Sequence, residues 1–351
     1  MAYKWSWAFG PETSTELNDL AQWEIINTAQ FQPSQATIHT YVGDAADRWA
    51  MQMDYSSGGM LAPLSVGGGK GWIGFYFYFN DPDNDFEARN IVEIEGPVSG
   101  PRDIWITGAG GNGFTIWIDS IQVATAAGLG LQKDTWHHLA VKYDMTTGVS
   151  SHWGAELFIN GVSVASGSRT SGNLQEESVA NFRFNALEDA GFYTMLSDIV
   201  VYDELTDPNP YGQLVTRTGP TQDLSDSGSW TPASDGVTDA QSANLTGQIA
   251  TTPVVAEADP LTGEYVRVNT DILGTTLGLD SFNTYGVTAH LYASGSSATN
   301  IIAGIGHNPA GPFTTGSAVV DGINAYAWTS SGSVGLVSGS SFVLNAEISG
   351  S

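Results

Sequence analysis

The stretch DTWHHLAVKYD, residues 134–144, sets a tryptophan, two histidines and an alternating apolar run side by side. Read as a metal or catalytic pair, the histidines would make an enzyme; read as a strand, they belong to a scaffold. On a strand successive side chains point to opposite faces. His137 then joins Leu139, Val141 and Tyr143, while Trp136, His138, Ala140 and Lys142 share the other face. Adjacent histidines so placed cannot ligate one ion. The chain has no cysteine and no H-x-H or H-E-x-x-H spacing, which also argues against zinc. The strand reading, with both histidines packed or hydrogen-bonded, is the one carried forward.

Strand patterns extend in both directions from this point. GWIGFYFYFN (71–80) is aromatic, β-prone and bounded by glycine. NIVEIEG (90–96), DIWITG (103–108) and GFTIWIDSIQVAT (113–125) alternate, the last read as one continuous run. In AELFINGVSVASG (155–167), Asn160-Gly161 separates two alternating runs, the favoured two-residue hairpin turn because both positions require positive φ. VANFRFNAL (179–187) and FYTMLSDIVVYD (192–203) close the series. This spacing describes an antiparallel sandwich. A short helix is expected near STELNDLAQW (14–23), capped by Ser14 or Thr15.

DELTDPNPYGQ (203–213) reads as a boundary, with two prolines, an Asn and a Gly after the last strong strand. Residues 208–351 hold only two basic residues, Arg217 and Arg267, and are rich in Ser, Thr, Gly and Ala. Residues 220–244 read as long loops or irregular edge structure; strands resume at 264–273, 281–294, 300–306, 323–328 and 341–348. The expected fold class is all-β. An N-terminal segment, 1–30, packs on or leads into a two-sheet jelly roll, 31–207; a smaller C-terminal β domain, 208–351, follows.

The whole chain of 351 residues carries 11 Lys and Arg against 37 Asp and Glu, a formal net charge of −26. Such a surface repels nucleic acid and anionic membranes, so no nucleic-acid partner and no membrane insertion are expected. MAYKWSWAFG lacks an apolar run long enough for a signal peptide, and no stretch approaches the roughly 18 apolar residues of a membrane helix. Assembly in a cytoplasm is the corresponding expectation.

Trp-His-His-Leu-Ala-Val-x-Tyr-Asp, followed by Leu-Phe-Ile-Asn-Gly-Val and later by MLSDIVVYDELTDP (195–208), resembles the laminin G-like, or concanavalin A-like, family over roughly residues 30–205. The resemblance implies a two-sheet jelly roll of about 12–14 strands. It also implies binding of glycans, proteins or host surfaces more often than catalysis, and in some members calcium at the sheet rim. Further along, Trp230-Thr231-Pro232, Tyr265-Val266 and Asp280-Ser281-Phe282 resemble a layout of tailed-bacteriophage structural proteins. That layout implies a virion protein on the particle exterior, in the tail, a fibre or the capsid decoration. Its implied partners are other virion proteins, further copies of itself as a homo-oligomer, and a host surface glycan. A carbohydrate-binding adhesin or a glycan-active enzyme is the alternative.

Family hydrolases carry Glu-x-Asp-x-x-Glu on one strand. VEIEG (92–96) places Glu93 and Glu95 on one face but lacks the remaining carboxylates, so no catalytic residue is assigned and no enzyme activity is expected. Trp105 and Trp117 are the candidate sugar-binding aromatics, against a core role. NDPDNDFE (80–87) sets Asp81, Asp83, Asp85 and Glu87 at alternate positions, a spacing able to wrap calcium. It is not an EF-hand, since Phe86 and Val92 stand at its sixth and twelfth positions, and a solvated acidic turn is the competing reading. No cofactor other than this calcium is expected.

Overall fold

The computed structural model describes residues 3–7, 23–26, 31–36, 48–54, 58–61, 69–80, 90–97, 103–109, 113–146, 152–170, 174, 178–185 and 193–202, and the strand segments 221–227, 230–232, 255–257, 265–270, 281–293, 301–308, 317–318, 322–337 and 341–348. The chain forms two compact units, Met1–Thr216 and Arg217–Ser351. Every regular element among the described residues is a strand.

The first unit is a two-sheet antiparallel sandwich of jelly-roll type. Its strands are β1 (Tyr3–Trp7), β2 (Trp23–Ile26), β3 (Phe31–Ala36), β4 (Arg48–Asp54), β5 (Gly58–Leu61), β6 (Lys70–Phe79), β7 (Asn90–Glu95), β8 (Asp103–Ala109), β9 (Gly113–Ile118), β10 (Ile121–Ala126), β11 (Trp136–Asp144), β12 (Trp153–Ile159), β13 (Val162–Arg169), β14 (Asn181–Asn185) and β15 (Tyr193–Tyr202). One sheet runs β13-β12-β11-β6-β15-β4-β3, with β1 also paired to β15; the other runs β10-β9-β8-β7-β14-β5-β2. Strands β1 and β2, from the segment expected to lead into the jelly roll, are hydrogen-bonded into the two sheets. The sequence pattern singles out no individual strand before residue 71, although the jelly roll is expected to begin at residue 31. It predicts a helix over 14–23; Trp23 instead opens β2, and residues 14–22 lie outside the described residues.

The DTWHHLAVKYD strand sits in the middle of the first sheet. Leu139 pairs with Phe75 of β6 and with Ile159 of β12. Its two-faced alternation holds: Leu139, Val141 and Tyr143 are fully buried beside His137. The opposing sheet meets them with Val92, Ile94, Ile104, Ile106, Phe114, Ile116, Phe182 and Phe184, all fully buried. Rings join the layers, Phe75 edge-on to Phe184 at 5.1 Å and Tyr143 to Phe182 at 5.9 Å. Each such side chain contributes about 1.5–3 kcal/mol by leaving water.

Two tight turns and one bulge set the register. Asn160 and Gly161 have φ of 50° and 79°, the expected hairpin conformation between β12 and β13. Asn160 Oδ1 also accepts the His138 N–H at 2.9 Å, which ties the turn to β11. The run 113–125 is not one strand. Asp119 and Ser120 adopt φ of 48° and 63° and split it into the β9–β10 hairpin. Short polar side chains make that left-handed turn accessible without glycine. In β15 the Ser197-Asp198 pair forms a bulge, with φ of 51° at Asp198 and a register shift against β6. The extra residue lets Leu196 and Ile199 both join the buried set. At this point β15 also changes neighbours, from β4 along 193–196 to β1 along 199–202.

The sandwich closes where the edge strands β10 and β13 approach. A Cβ added at Gly167 would lie 2.7 Å from Val123 Cγ2 and 2.9 Å from the Val123 carbonyl oxygen, so no side chain fits there. Arg169, two residues on, donates to the Asp119 carboxylate and, at 2.7 Å, to the Asp119 carbonyl. Gly167→Ala should therefore force the edges apart and cost about 1–3 kcal/mol. Thermal melting of the variant checks this, and an unchanged melting temperature would show that the edges move freely.

The second unit contains β16 (Thr221–Ser227), β17 (Trp230–Pro232), β18 (Val255–Glu257), β19 (Tyr265–Thr270), β20 (Ser281–Ala293), β21 (Ile301–Asn308), β22 (Ser317–Ala318), β23 (Gly322–Val337) and β24 (Ser341–Ile348). A five-stranded sheet runs β16-β19-β24-β21-β22, beside the ribbons β17-β18 and β20-β23. The stretch read as loops or irregular edge supplies β16, an edge strand whose register shifts between Asp223 and Ser225.

Candidate functional site

Alternation on the second sheet of the sandwich gathers charged and aromatic side chains on its outer face. Glu93 of β7 stands opposite Trp105 of β8, and Trp105 opposite Trp117 of β9. Glu95 stands opposite Asp103, and Arg183 of β14 opposite Glu93 on the other side. Because β14, β7, β8 and β9 are consecutive neighbours, these six residues form one patch. Trp105, Trp117, Glu95 and Asp103 are half-buried, and Glu93 is buried. The apolar residues between them, Ile94, Ile104, Ile106 and Ile116, point into the core and anchor the strands beneath the patch.

The patch is held by a polar network. Arg183 reaches Glu95 at 3.1 Å and Glu93 at 3.7 Å. Asn90 donates to Glu93 Oε1 at 2.6 Å, and Asn185 to the same oxygen at 3.2 Å. Asn181 donates to Glu95 Oε2 at 3.4 Å. The Trp117 indole N–H donates to Thr107 Oγ1 at 3.0 Å, which fixes the orientation of the half-buried ring. Asp103 accepts the Gly96 N–H at 3.2 Å.

Burial pushes the Asp103 carboxyl up to about 6; the Gly96 N–H opposes the rise and the Glu95 charge adds to it. Burial likewise raises Glu95, with the Arg183 guanidinium opposing and the Glu93 charge adding. A group whose folded pKa is raised holds extra protons in the folded state, so stability falls as pH rises through the window. For Asp103 that window runs from the ordinary carboxylate range to about 6. Asp103→Asn removes the liability while keeping an acceptor for Gly96. The variant should melt a few degrees above the parent at pH 8, and the gap should close near pH 4. An equal gap at both pH values would show that the Asp103 charge does not oppose folding.

The paired histidines take no part in this patch. His137 Nε2 meets the Gln132 carbonyl at 3.0 Å, and its ring stacks near Phe79 at 6.0 Å. Burial lowers its pKa, with the Gln132 carbonyl opposing. His138 lies on the other face, edge-on to Tyr76 at 4.9 Å. Both are packing residues, as the alternation requires.

The two tryptophans proposed from the sequence are thus brought together, along with the Glu93/Glu95 pair. Sequence reasoning missed Asp103 and Arg183. Asp103 opens its alternating strand, and its parity with Trp105 was a usable signal; Arg183 comes from a strand far beyond Glu95 in the chain and had none. Asp81, Asp83, Asp85 and Glu87 lie outside the described residues. Among the described residues no group of three or more His, Asp or Glu side chains converges to hold a metal.

No family model matches the chain. No curated protein matches it either. Among solved structures it is similar to domain 4 of an extracellular GH43 arabinanase from Geobacillus stearothermophilus in complex with arabinotriose, with 16% identity over 60% of this chain and 98% of that one and a TM-score of 0.41. It is also similar to a PL-14 alginate lyase from Aplysia kurodai, at 11% identity over 57% of this chain and 99% of that one, TM-score 0.38. A third is the exoplasmic/lumenal domain of VIP36 bound to calcium and Man3GlcNAc, at 9% identity over 59% of this chain and 92% of that one, TM-score 0.37.

Proposed function

We propose that this chain is an exterior structural protein of a tailed-bacteriophage particle whose first unit contacts host surface glycans through the outer β14-β7-β8-β9 face. The observation that carries glycan contact is the cross-strand placement of Trp105 and Trp117 beside Glu93, Glu95, Asp103 and Arg183. Sugar rings present apolar C–H faces and hydroxyl edges. A site for them pairs accessible aromatic surface with a few fixed polar groups, and this patch combines two half-buried indoles with fixed carboxylates. The virion role rests on the Trp230-Thr231-Pro232 and Tyr265-Val266 layout and on the strong acidity of the chain. Within that role residues 208–351 serve assembly: they hold two basic residues and many small side chains, and strand edges such as β16 offer pairing to a neighbouring copy.

Binding is tested by titrating the intact chain against immobilised oligosaccharides, with saturable binding expected and uniform failure overturning the reading. The particle role is tested by looking for the chain in purified virions; its absence from them overturns that part. For assembly, a chain ending at Thr216 should be a monomer, and retention of the full-length oligomeric state would refute the division of labour.

One observation favours a second reading, a glycan-active enzyme. A half-buried Asp103 titrating at about 6 beside Glu95 has the character of a general acid. We take the face as a binding surface because β7 lacks the third carboxylate of the Glu-x-Asp-x-x-Glu strand. Release of new reducing or unsaturated ends that Asp103→Asn abolishes would decide for the enzyme.

A further inference from the structure

We infer that the β14-β7-β8-β9 face selects glycans by charge, preferring amine-bearing sugars over neutral ones and rejecting uronate-bearing ones. This rests on the proposed glycan contact and adds the chemical class of its ligand. Among the described residues three carboxylates, Glu93, Glu95 and Asp103, share the face with one cation, Arg183. That cation is already committed. One terminal nitrogen lies 3.1 Å from Glu95 and the other 3.7 Å from Glu93, so its charge is already engaged by the two glutamates.

The amides do not offset this balance. Asn90 and Asn185 direct their N–H donors at Glu93, and Asn181 directs its donor at Glu95. What the patch offers a ligand is therefore acceptor capacity, chiefly from half-buried Glu95 and Asp103. The two indoles are an independent second feature. They supply stacking faces for a sugar ring, and an aromatic face also attracts an ammonium group. An acceptor-rich, net negative patch beside aromatic rings suits a sugar that donates hydroxyl protons and carries an ammonium. A uronate would bring a fourth carboxylate into the same partly desolvated region, where like charges repel strongly. The formal charge of −26 on the chain reinforces this at long range, within the reach that salt permits.

The test uses three oligomers of matched length: chitosan hexamer, with free amines; chitin hexamer, with the same backbone acetylated and neutral; and oligogalacturonate hexamer. Calorimetry of the intact chain at pH 6.5 and low salt should rank them in that order, chitosan at least tenfold tighter than the galacturonate. Raising salt to 0.5 M should compress the gap by screening, because the Debye length, roughly 10 Å at 0.1 M, shrinks further. The double variant Glu95→Gln/Asp103→Asn, with its fold checked by circular dichroism, should narrow the gap while retaining chitin binding. If galacturonate binds as tightly as chitosan, or the double variant leaves the gap unchanged, charge selection is overturned and glycan contact stands. If none of the three, nor any other sugar, binds, the site reading itself fails and this inference with it.

Discussion

Phe75→Ala should destabilise the first unit by about 3–5 kcal/mol, the range for deleting a fully buried aromatic ring. Phe75 has no exposed surface, pairs across the sheet with Leu139, and stands edge-on to Phe184 of the opposite sheet at 5.1 Å. Its loss leaves a cavity between two layers that strand pairing holds at a fixed spacing, so collapse around it is limited. Urea unfolding followed by tryptophan fluorescence measures the change as a lower midpoint. Phe184→Ala should do the same, and the double variant should cost less than the sum of the two. The coupling expected for such a ring pair is about 0.5–1.5 kcal/mol. Strict additivity would show that the rings do not bridge the sheets.

Trp105→Ala should lower affinity for any bound glycan by at least tenfold while shifting the melting temperature only slightly. The indole is half-buried on the outer face, so its removal opens no interior cavity. An aromatic anchor at the centre of a contact carries a large share of its energy, and tenfold corresponds to about 1.4 kcal/mol. Trp117→Ala should act in the same direction, with an added loss of order from the broken Thr107 hydrogen bond. The conservative variant Trp105→Phe, which keeps a smaller aromatic face, should retain part of the affinity. Unchanged binding in both alanine variants would remove the face from consideration and return these tryptophans to a structural role.

The division between what was legible and what was not follows from range. Periodicity of two is a local property, and it was enough to read the DTWHHLAVKYD strand, the opposed faces of His137 and His138, and the common face of Glu93 and Glu95. The Asn160-Gly161 turn was legible for the same reason, since positive φ at both positions selects those residues locally. The Asp119-Ser120 turn escaped because neither residue demands such a conformation; each only tolerates it. Strands β1 to β5 escaped because they are short or broken by polar residues and proline, and their stability comes from pairing with distant strands rather than from their own pattern. Pro33 shows this: it lies in β3, which among the described residues pairs only with β4, where a missing N–H is tolerated.

The site divides along the same line. Sequence alone marked Trp105, Trp117 and the Glu93/Glu95 pair as chemistry on strands, and assigned an all-β sandwich with two units. It had no means of putting them together, because which strands neighbour one another depends on hydrogen bonding between segments far apart in the chain. Only the sheet order β10-β9-β8-β7-β14 sets Arg183 against both glutamates and carries the two indoles onto the same face. Composition reports that the chain is acidic; packing decides that Glu93 and Glu95 share one guanidinium with Asp103 across the strand from Glu95, and burial there, not sequence, raises the Asp103 pKa.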